Sequence, residues 1–278
     1  MSGILYLVGT PIGNLGDFSP RAVQTLKEAD FIAAEDTRVT LKLLNHFSVK
    51  KPMVSYFEHN RRERGEQIVA RMLAGESCAL VTDAGMPAVS DPGEDLVALC
   101  HERGIRVCAV PGPAAFVTAL ALSGLPAGQF TFEGFLSVNK RSRKEHLASL
   151  AGEARTMIFY EAPHHLKKTL QELAAVLGDR KITLCRELTK RFETVMPTTI
   201  FAATDYFETN DPRGEYVLVI EGKSYEEKKQ EAQKNWLEMP VEEHVALYES
   251  QGFDRKEAMK KAAKDRGVSK RDIYQSLL

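Results

Sequence analysis

Cysteine and tryptophan are scarce, with four and one in 278 residues. Cys78, Cys100, Cys108 and Cys185 make no C-x-x-C pair, so the paired thiols of a zinc or redox site are missing. Three of them adjoin apolar residues (Ala79, Leu99, Leu184) and read as small buried hydrophobes in a reducing compartment. The seven histidines offer no metal spacing. His164 and His165 are adjacent, so a helix would point them about 100° apart. No apolar run approaches about 18 residues, and the N-terminus lacks a basic stretch followed by an apolar one. The expectation is a soluble, cytoplasmic chain with no membrane contact and no metal. A surplus of one charge is also missing, since 37 Lys and Arg meet 38 Asp and Glu for a net charge of −1. A chain-wide basic coat for nucleic acid is thereby excluded, and any polyanion must be met by local patches.

Core-forming material is plentiful. The chain is 44% hydrophobic and 27% charged, which argues against disorder. Apolar runs of strand length alternate with helical spacing. "ILYLVG", "FIAAE", "PMVSYF", "CALVT" and "IRVCAV" read as strands, as do "FTFEGFL", "TMIFYEA", "ITLCREL" and "GEYVLVIEG" further on. Between them lie helical segments, the first opened by Phe18-Ser19-Pro20 as hydrophobic staple, N-cap and N1 proline. Gly75, Gly104 and Gly124 read as helix ends. This alternation predicts an α/β fold of two α/β domains with mixed, mostly parallel sheets and a ligand trough between them, plus a small C-terminal helical unit. The expected divisions are residues 1–112, 113–222 and 223–278. The apolar helix after Pro111-Gly112-Pro113 is expected to lie between one sheet and more protein, as a joint between the domains. Residues 223–235, polar and charged, read as a solvated helix or linker. Beyond them Phe253, Ala258, Ala262, Val268 and Ile273 can pack as helix, tight turn, helix, with a capping box from Ser269 to Asp272. From Phe253 onward eight bases face four acids, a local balance of +4. This unit either docks on the body as a solvated bundle or faces RNA.

Ligands of open α/β sheets bind beyond the carboxyl ends of the strands. The loops expected there are rich in Gly and Pro: "GTPIGNLGD", "TDAGMPAVSDPG", "PGPAA", "EGF" and "YEAPHH". The first resembles a phosphate cradle, but Pro11 removes an N–H and no Gly-Lys-Ser/Thr follows. Asp83, at the end of a buried-looking strand, suits hydroxyls or an ammonium. No cluster of Lys or Arg accompanies the glycines, so a triphosphate fits poorly. A nicotinamide-binding fingerprint is a competing reading, because Gly9, Gly13 and Gly16 follow a strand and Asp36 comes about twenty residues later. The spacing is G-x-x-x-G-x-x-G, however, and Pro11 interrupts it.

"LVGTPIGNLGDFSPRA", "TDAGMPAVSDPG", "VPGPAA", "FEGFL" and "FYEAPHH" resemble, in order and spacing, the tetrapyrrole-methylase-like (class III) methyltransferases. "ADFIAAEDTRVTLKLLNHF", "SYFEHN" and "CRELTKRFE" are similar to the members that act on small-subunit (16S) ribosomal RNA. The resemblance implies S-adenosylmethionine as methyl donor and a homodimer. It implies the ribose 2′-oxygen of a decoding-centre cytidine as acceptor, at position 1402. It places Pro11, Asp83, Ala84, Gly85, Val89, Ala114, Ala115, Tyr160 and Gly214 around the donor. On the acceptor side it points to Asn14, Arg38, His59, Asn60, Arg61, Arg62, Lys140, Arg141 and Arg143, with Lys270 and Arg271 in the tail. Glu133 or Asp36 is the candidate to orient the hydroxyl or take its proton. Gly9 and Gly13 are expected to let ligand or substrate approach, and Asn14 to offer a free side chain. Methylation of a tetrapyrrole or corrin precursor is the alternative, and a non-catalytic RNA-binding module is a third reading.

Overall fold

A computed structural model describes residues 2–224 and 236–277. The expected polar segment at 223–235 lies, from residue 225 on, outside the described residues. The first half alternates β1 (Ile4–Val8), α1 (Pro20–Glu28), β2 (Phe31–Ala34), α2 (Thr37–His46), β3 (Met53–Ser55), α3 (Arg61–Leu73), β4 (Cys78–Val81), α4 (Glu94–Glu102) and β5 (Arg106–Val110). The strands form one sheet in the order β3-β2-β4-β1-β5, parallel throughout. β2 and β4 are buried along their whole length, as helices on both faces require. α1 starts as its sequence dictates, with the Ser19 hydroxyl accepting from the Ala22 N–H and Pro20 at N1. The connections run opposite ways from β1 and β4, so the loops after these two strands flank the switch point of the sheet.

The second half contains α5 (Ala115–Ser123), β6 (Phe130–Phe135), α6 (Lys140–Ser149), β7 (Thr156–Glu161), α7 (Pro163–Leu177), β8 (Lys181–Arg186), β9 (Thr194–Thr199), α8 (Ile200–Thr209) and β10 (Tyr216–Ile220). Its sheet order is β6-β7-β10-β8-β9. Only β6 and β7 pair parallel there, and the other three neighbours are antiparallel. The two sheets are thus mixed and mostly parallel when taken together. β9, "TVMPTT", shows no strand signal in the sequence because Pro197 interrupts it. It forms an edge strand, where the missing N–H costs nothing. One face of this sheet carries Leu166, Leu170, Leu173 and their neighbours. The other carries Ala119 and Leu120 of α5 against Ile158, Cys185 and Val219.

α5 corrects one expectation. It packs on the second sheet through Ala119, Leu120 and Ser123. Its other face is open rather than covered, with Val117 49% and Leu122 46% exposed.

Among the described residues the C-terminal unit holds helical residues 236–238 and the helices α9 (Val241–Ser250), α10 (Arg255–Arg266) and α11 (Lys270–Ser276). Val245, Ala258, Ala262, Ala263 and Ile273 make its core. Val268, expected inside, is exposed, and α9 supplies Val245 in its place. The capping box between Ser269 and Asp272 is present in both directions.

Candidate active site

The first loop is bolted to its neighbours by backbone. Gly9 and Gly112 pack main chain to main chain, and a Cβ on Gly9 would lie 2.7 Å from the Gly112 Cα. Thr10 and Gly85 exchange N–H···O bonds of 2.9 and 3.2 Å, and the Thr10 hydroxyl donates to the Thr82 carbonyl at 3.1 Å. Ile12 reaches across to the apolar cluster of the second sheet that contains Cys185 and Leu188. Gly13, with φ +148°, lies under the aliphatic stem of Lys190. Both glycines therefore allow protein to approach protein, not the expected approach of ligand. Asn14 is committed through its oxygen alone: its Oδ1 accepts from the Gly16 N–H and caps a one-turn 3-10 helix, Leu15–Asp17.

Between the carboxyl ends of the first sheet and those of β6, β7 and β8, beside the amino end of β10, lies a cavity of about 390 Å³. Seven of the expected donor residues line it: Asp83, Ala84, Gly85, Val89, Ala114, Ala115 and Tyr160. Pro11 and Gly214 do not. Their neighbours Ile12 and Glu215 take the wall instead, because Gly214 (φ +76°) is turned against the Glu187 side chain.

The cavity has three kinds of surface. One wall is acidic, with Glu35, Asp83 and Asp91. The loop after β4 doubles back through left-handed turns at Gly85 and Ala88, which returns Asp91 to the strand end. The Thr82 hydroxyl donates to Glu35 Oε2 at 2.8 Å and also lies within hydrogen-bond reach of Asp91. Asp83 accepts from the Asp36 N–H at 3.2 Å. Burial, and then the neighbouring carboxylates, push both Asp83 and Asp91 above the ordinary aspartate range. A second surface is the N-terminus of α5, where the N-cap Ala114 has no side-chain acceptor for the helix N–H groups. The Tyr160 hydroxyl accepts from the Phe116 N–H there at 3.3 Å, and burial raises its pKa. The third surface is Glu187, Lys190 and Glu215. Lys190 Nζ sits 3.0 Å from Glu187 Oε1 and 2.7 Å from Glu215 Oε2.

The structure brings neither candidate base to this wall. Glu133 stands at a bulge between Phe132 and Gly134, and its Oε2 lies 2.7 Å from His146 Nε2 on α6. Asp36 caps α2 and pairs with Arg38 at 2.6 Å. That hydrogen-bonded pairing holds its carboxyl down at about 2, too low for a proton acceptor at neutral pH.

The expected acceptor-side residues divide. Arg38, His59, Lys140 and Arg141 are exposed. His59, Arg61 and Arg62 line a second concavity of about 640 Å³ on the first half, shared with Glu58, Glu94, Asp95 and Glu102. Arg61 pairs there with Glu58 and Asp95. Asn60 closes its own loop, accepting from the Phe57 N–H and donating to the Ser55 carbonyl. Arg143 is a correction. It is buried, donating to Glu172 Oε2 at 2.5 Å and Thr169 Oγ1 at 2.7 Å, so it binds α6 to α7 and cannot meet RNA. Lys270 and Arg271 open α11, with Arg271 exposed. Arg266, counted in the tail's basic balance, is buried and donates to His244 Nδ1 at 3.0 Å.

Residues 4–204 match the family described as Tetrapyrrole (Corrin/Porphyrin) Methylases. The chain belongs to the tetrapyrrole methylase family. Over 272 residues it is 47% identical to the Ribosomal RNA small subunit methyltransferase I of Halalkalibacterium halodurans, spanning 98% of this chain and 93% of that one. The Escherichia coli O157:H7 protein of the same name is 40% identical over 279 residues, 99% and 95% of the two chains. Among solved structures, a diphthine synthase superposes with a TM-score of 0.61 at 15% identity, over 80% of this chain and 91% of that one. A uroporphyrin-III-C-methyltransferase from Thermus thermophilus gives 0.56 at 20% identity, over 79% and 94%. At those identities the likeness is one of fold.

Five charged residues that line this tetrapyrrole methylase's cavity escape sequence reasoning: Asp91, Glu161, Glu187, Lys190 and Glu215. Asp91 sits inside a loop already singled out, where Pro92 and Gly93 make it read as a turn residue. Glu187 and Lys190 follow a strand whose end faces the first sheet only because β8 runs antiparallel to β10, a pairing that no local pattern encodes. No described helix is long and apolar enough to cross a membrane.

Proposed function

We propose that this methylase transfers a methyl group from S-adenosylmethionine to the ribose 2′-oxygen of a cytidine in the decoding centre of 16S ribosomal RNA, at position 1402. The observation that carries the reading is coverage. The relatives named for ribosomal RNA match across both sheets, every cavity loop and the tail. The cavity chemistry agrees with the donor. Its acidic wall suits hydroxyls, an ammonium and a sulfonium, and the uncapped N-terminus of α5 offers N–H groups to a carboxylate. Backbone and small side chains do most of the holding, since Ala84, Gly85, Ala114 and Ala115 have little else to offer.

Methyl transfer is an in-line displacement, so positioning of the acceptor oxygen supplies much of the rate. A ribose hydroxyl is a poor nucleophile while protonated. Asp91 replaces Asp36 and Glu133 as candidate base, because it lines the cavity and burial raises its pKa, which makes it the stronger proton acceptor. A cytoplasmic homodimer acting on the small subunit or a late precursor completes the proposal. The open apolar face of α5 offers the second copy a surface.

Purified protein with isotopically labelled donor, given small-subunit RNA particles or a tetrapyrrole precursor, tests it. Label is expected in RNA, as a ribose methyl group. Label in the tetrapyrrole alone would assign the alternative substrate, and binding of RNA without donor uptake would remove the enzymatic reading.

A further inference from the structure

Lys190 is the one cation among the described residues that line the cavity. Burial alone would lower its pKa, but hydrogen bonds to Glu215 and Glu187 outweigh that and keep the ammonium charged. A protonated lysine has three N–H donors. Two meet carboxylates, and no acceptor among the described residues takes the third.

Its setting is built at a cost. Glu187 (φ +51°) and Thr189 (φ +67°) both sit in left-handed conformations without being glycine, which strains the backbone at each. Against the first loop the lysine stem leaves no room for a side chain at position 13, where a Cβ would fall 2.4 Å from Lys190 Cγ. A simple clasp between the two halves would need neither the strain nor a place on the cavity wall. The group also marks the mouth of the cavity, since the Glu215 side chain is 80% exposed while that of Lys190 is 30% exposed. Outside it the same loop presents exposed Arg191 and Phe192, with the guanidinium 5.6 Å from the ring centroid. A cation beside an open aromatic face is the surface on which single-stranded nucleotides stack.

Resting on the reading of the acceptor as RNA, we propose that the third N–H of Lys190 binds a sugar-phosphate oxygen of the nucleotide being methylated, and that Arg191 and Phe192 hold the adjoining nucleotide. In the same proposal the donor's carboxylate goes to the uncapped N-terminus of α5, which leaves Lys190 to the acceptor.

The test compares Lys190→Met, Phe192→Ala and Gly13→Ala with the unaltered enzyme. Donor affinity is read by calorimetry, and steady-state kinetics are read against small-subunit RNA particles over a salt series. Lys190→Met is expected to raise KM for RNA at least tenfold, leave donor Kd within twofold, and reduce the salt slope by about 0.7. Phe192→Ala should raise KM for RNA without changing the salt slope. Gly13→Ala, which removes no charge but displaces the lysine stem, should shift KM for RNA in the same direction as Lys190→Met. Donor Kd reports folding in all three. RNA kinetics unchanged in Lys190→Met would overturn the proposal, as would a donor Kd that rises in step with the loss of activity. If the unaltered enzyme methylates no RNA, the parent reading falls and this one with it. Normal wild-type methylation beside an unaffected Lys190→Met removes this one alone.

Discussion

At Asp91 the requirements of stability and chemistry oppose each other. Burial and the nearby Glu35 and Asp83 raise its pKa, so the ionised carboxylate is less welcome in the folded chain than in the unfolded one. That penalty is absent below the ordinary aspartate range and grows as pH rises through the raised folded value. Asp91→Asn is therefore expected to melt higher than the parent at neutral pH, with the gap closing toward pH 4. The same change should lower single-turnover methylation at saturating donor about 100-fold or more, while Asp36→Asn and Glu133→Gln stay within a few-fold. In the unaltered enzyme the rate should rise with pH to a plateau whose midpoint lies above that of a free aspartate. Wild-type turnover in Asp91→Asn would remove it as the base.

Legibility at this scale followed local conformation. Asp83 and Gly85 were readable because a carboxylate and a glycine at a strand end declare a polar site and a close approach, whereas Ala84 and Ala114 came from the resemblance of their motifs. Gly9 and Gly13 declared one too, but the sequence could not say that the approaching groups are Gly112 and Lys190. Arg143 was misread for want of a period. It lies four residues before Leu147 and seven before Leu150, both buried, and so on the inner face of α6.

Elements show where pairing overrides pattern. β6 and β7 were readable as strands, yet the bulge that turns Glu133 toward His146 was not, because it depends on register with β7. β9 and α8 left no expectation, since Pro197 and the polar residues of "TVMPTT" argue against a strand and an edge position tolerates both. α6 depends on its tether to α7. Arg143→Ala would leave the buried Thr169 hydroxyl without this donor and Glu172, partly exposed, with Lys168 at 3.7 Å, and is expected to cost roughly 2 kcal/mol. Chemical denaturation measures that cost. RNA affinity should change little, in contrast to a surface arginine. Little change in denaturation midpoint beside a large loss of RNA affinity would place Arg143 back on the acceptor side.

For the whole molecule, two α/β halves meet at the carboxyl ends of the first sheet and of β6, β7 and β8, beside the amino end of β10, and leave the cavity at the seam. The C-terminal unit has a core of its own. The alternation of strands and helices made the two-halved plan readable. The antiparallel weave of the second sheet was not, because it arises from long-range pairing. The exposed Val117 and Leu122 on α5 predict an assembly. The unaltered chain of 31.0 kDa should run in light scattering at twice its mass, and Leu122→Glu at the mass of one chain, with each half still folded. A monomeric parent would contradict the dimer and leave the cavity assignment in place.

The most direct measurement is a map of methylated nucleotides in small-subunit RNA from cells with and without this protein. Loss of a single ribose 2′-O-methyl group, on a decoding-centre cytidine, and its return when the gene is restored, is the predicted result. An unchanged map, or loss of a methyl group from a base instead of a ribose, would contradict it.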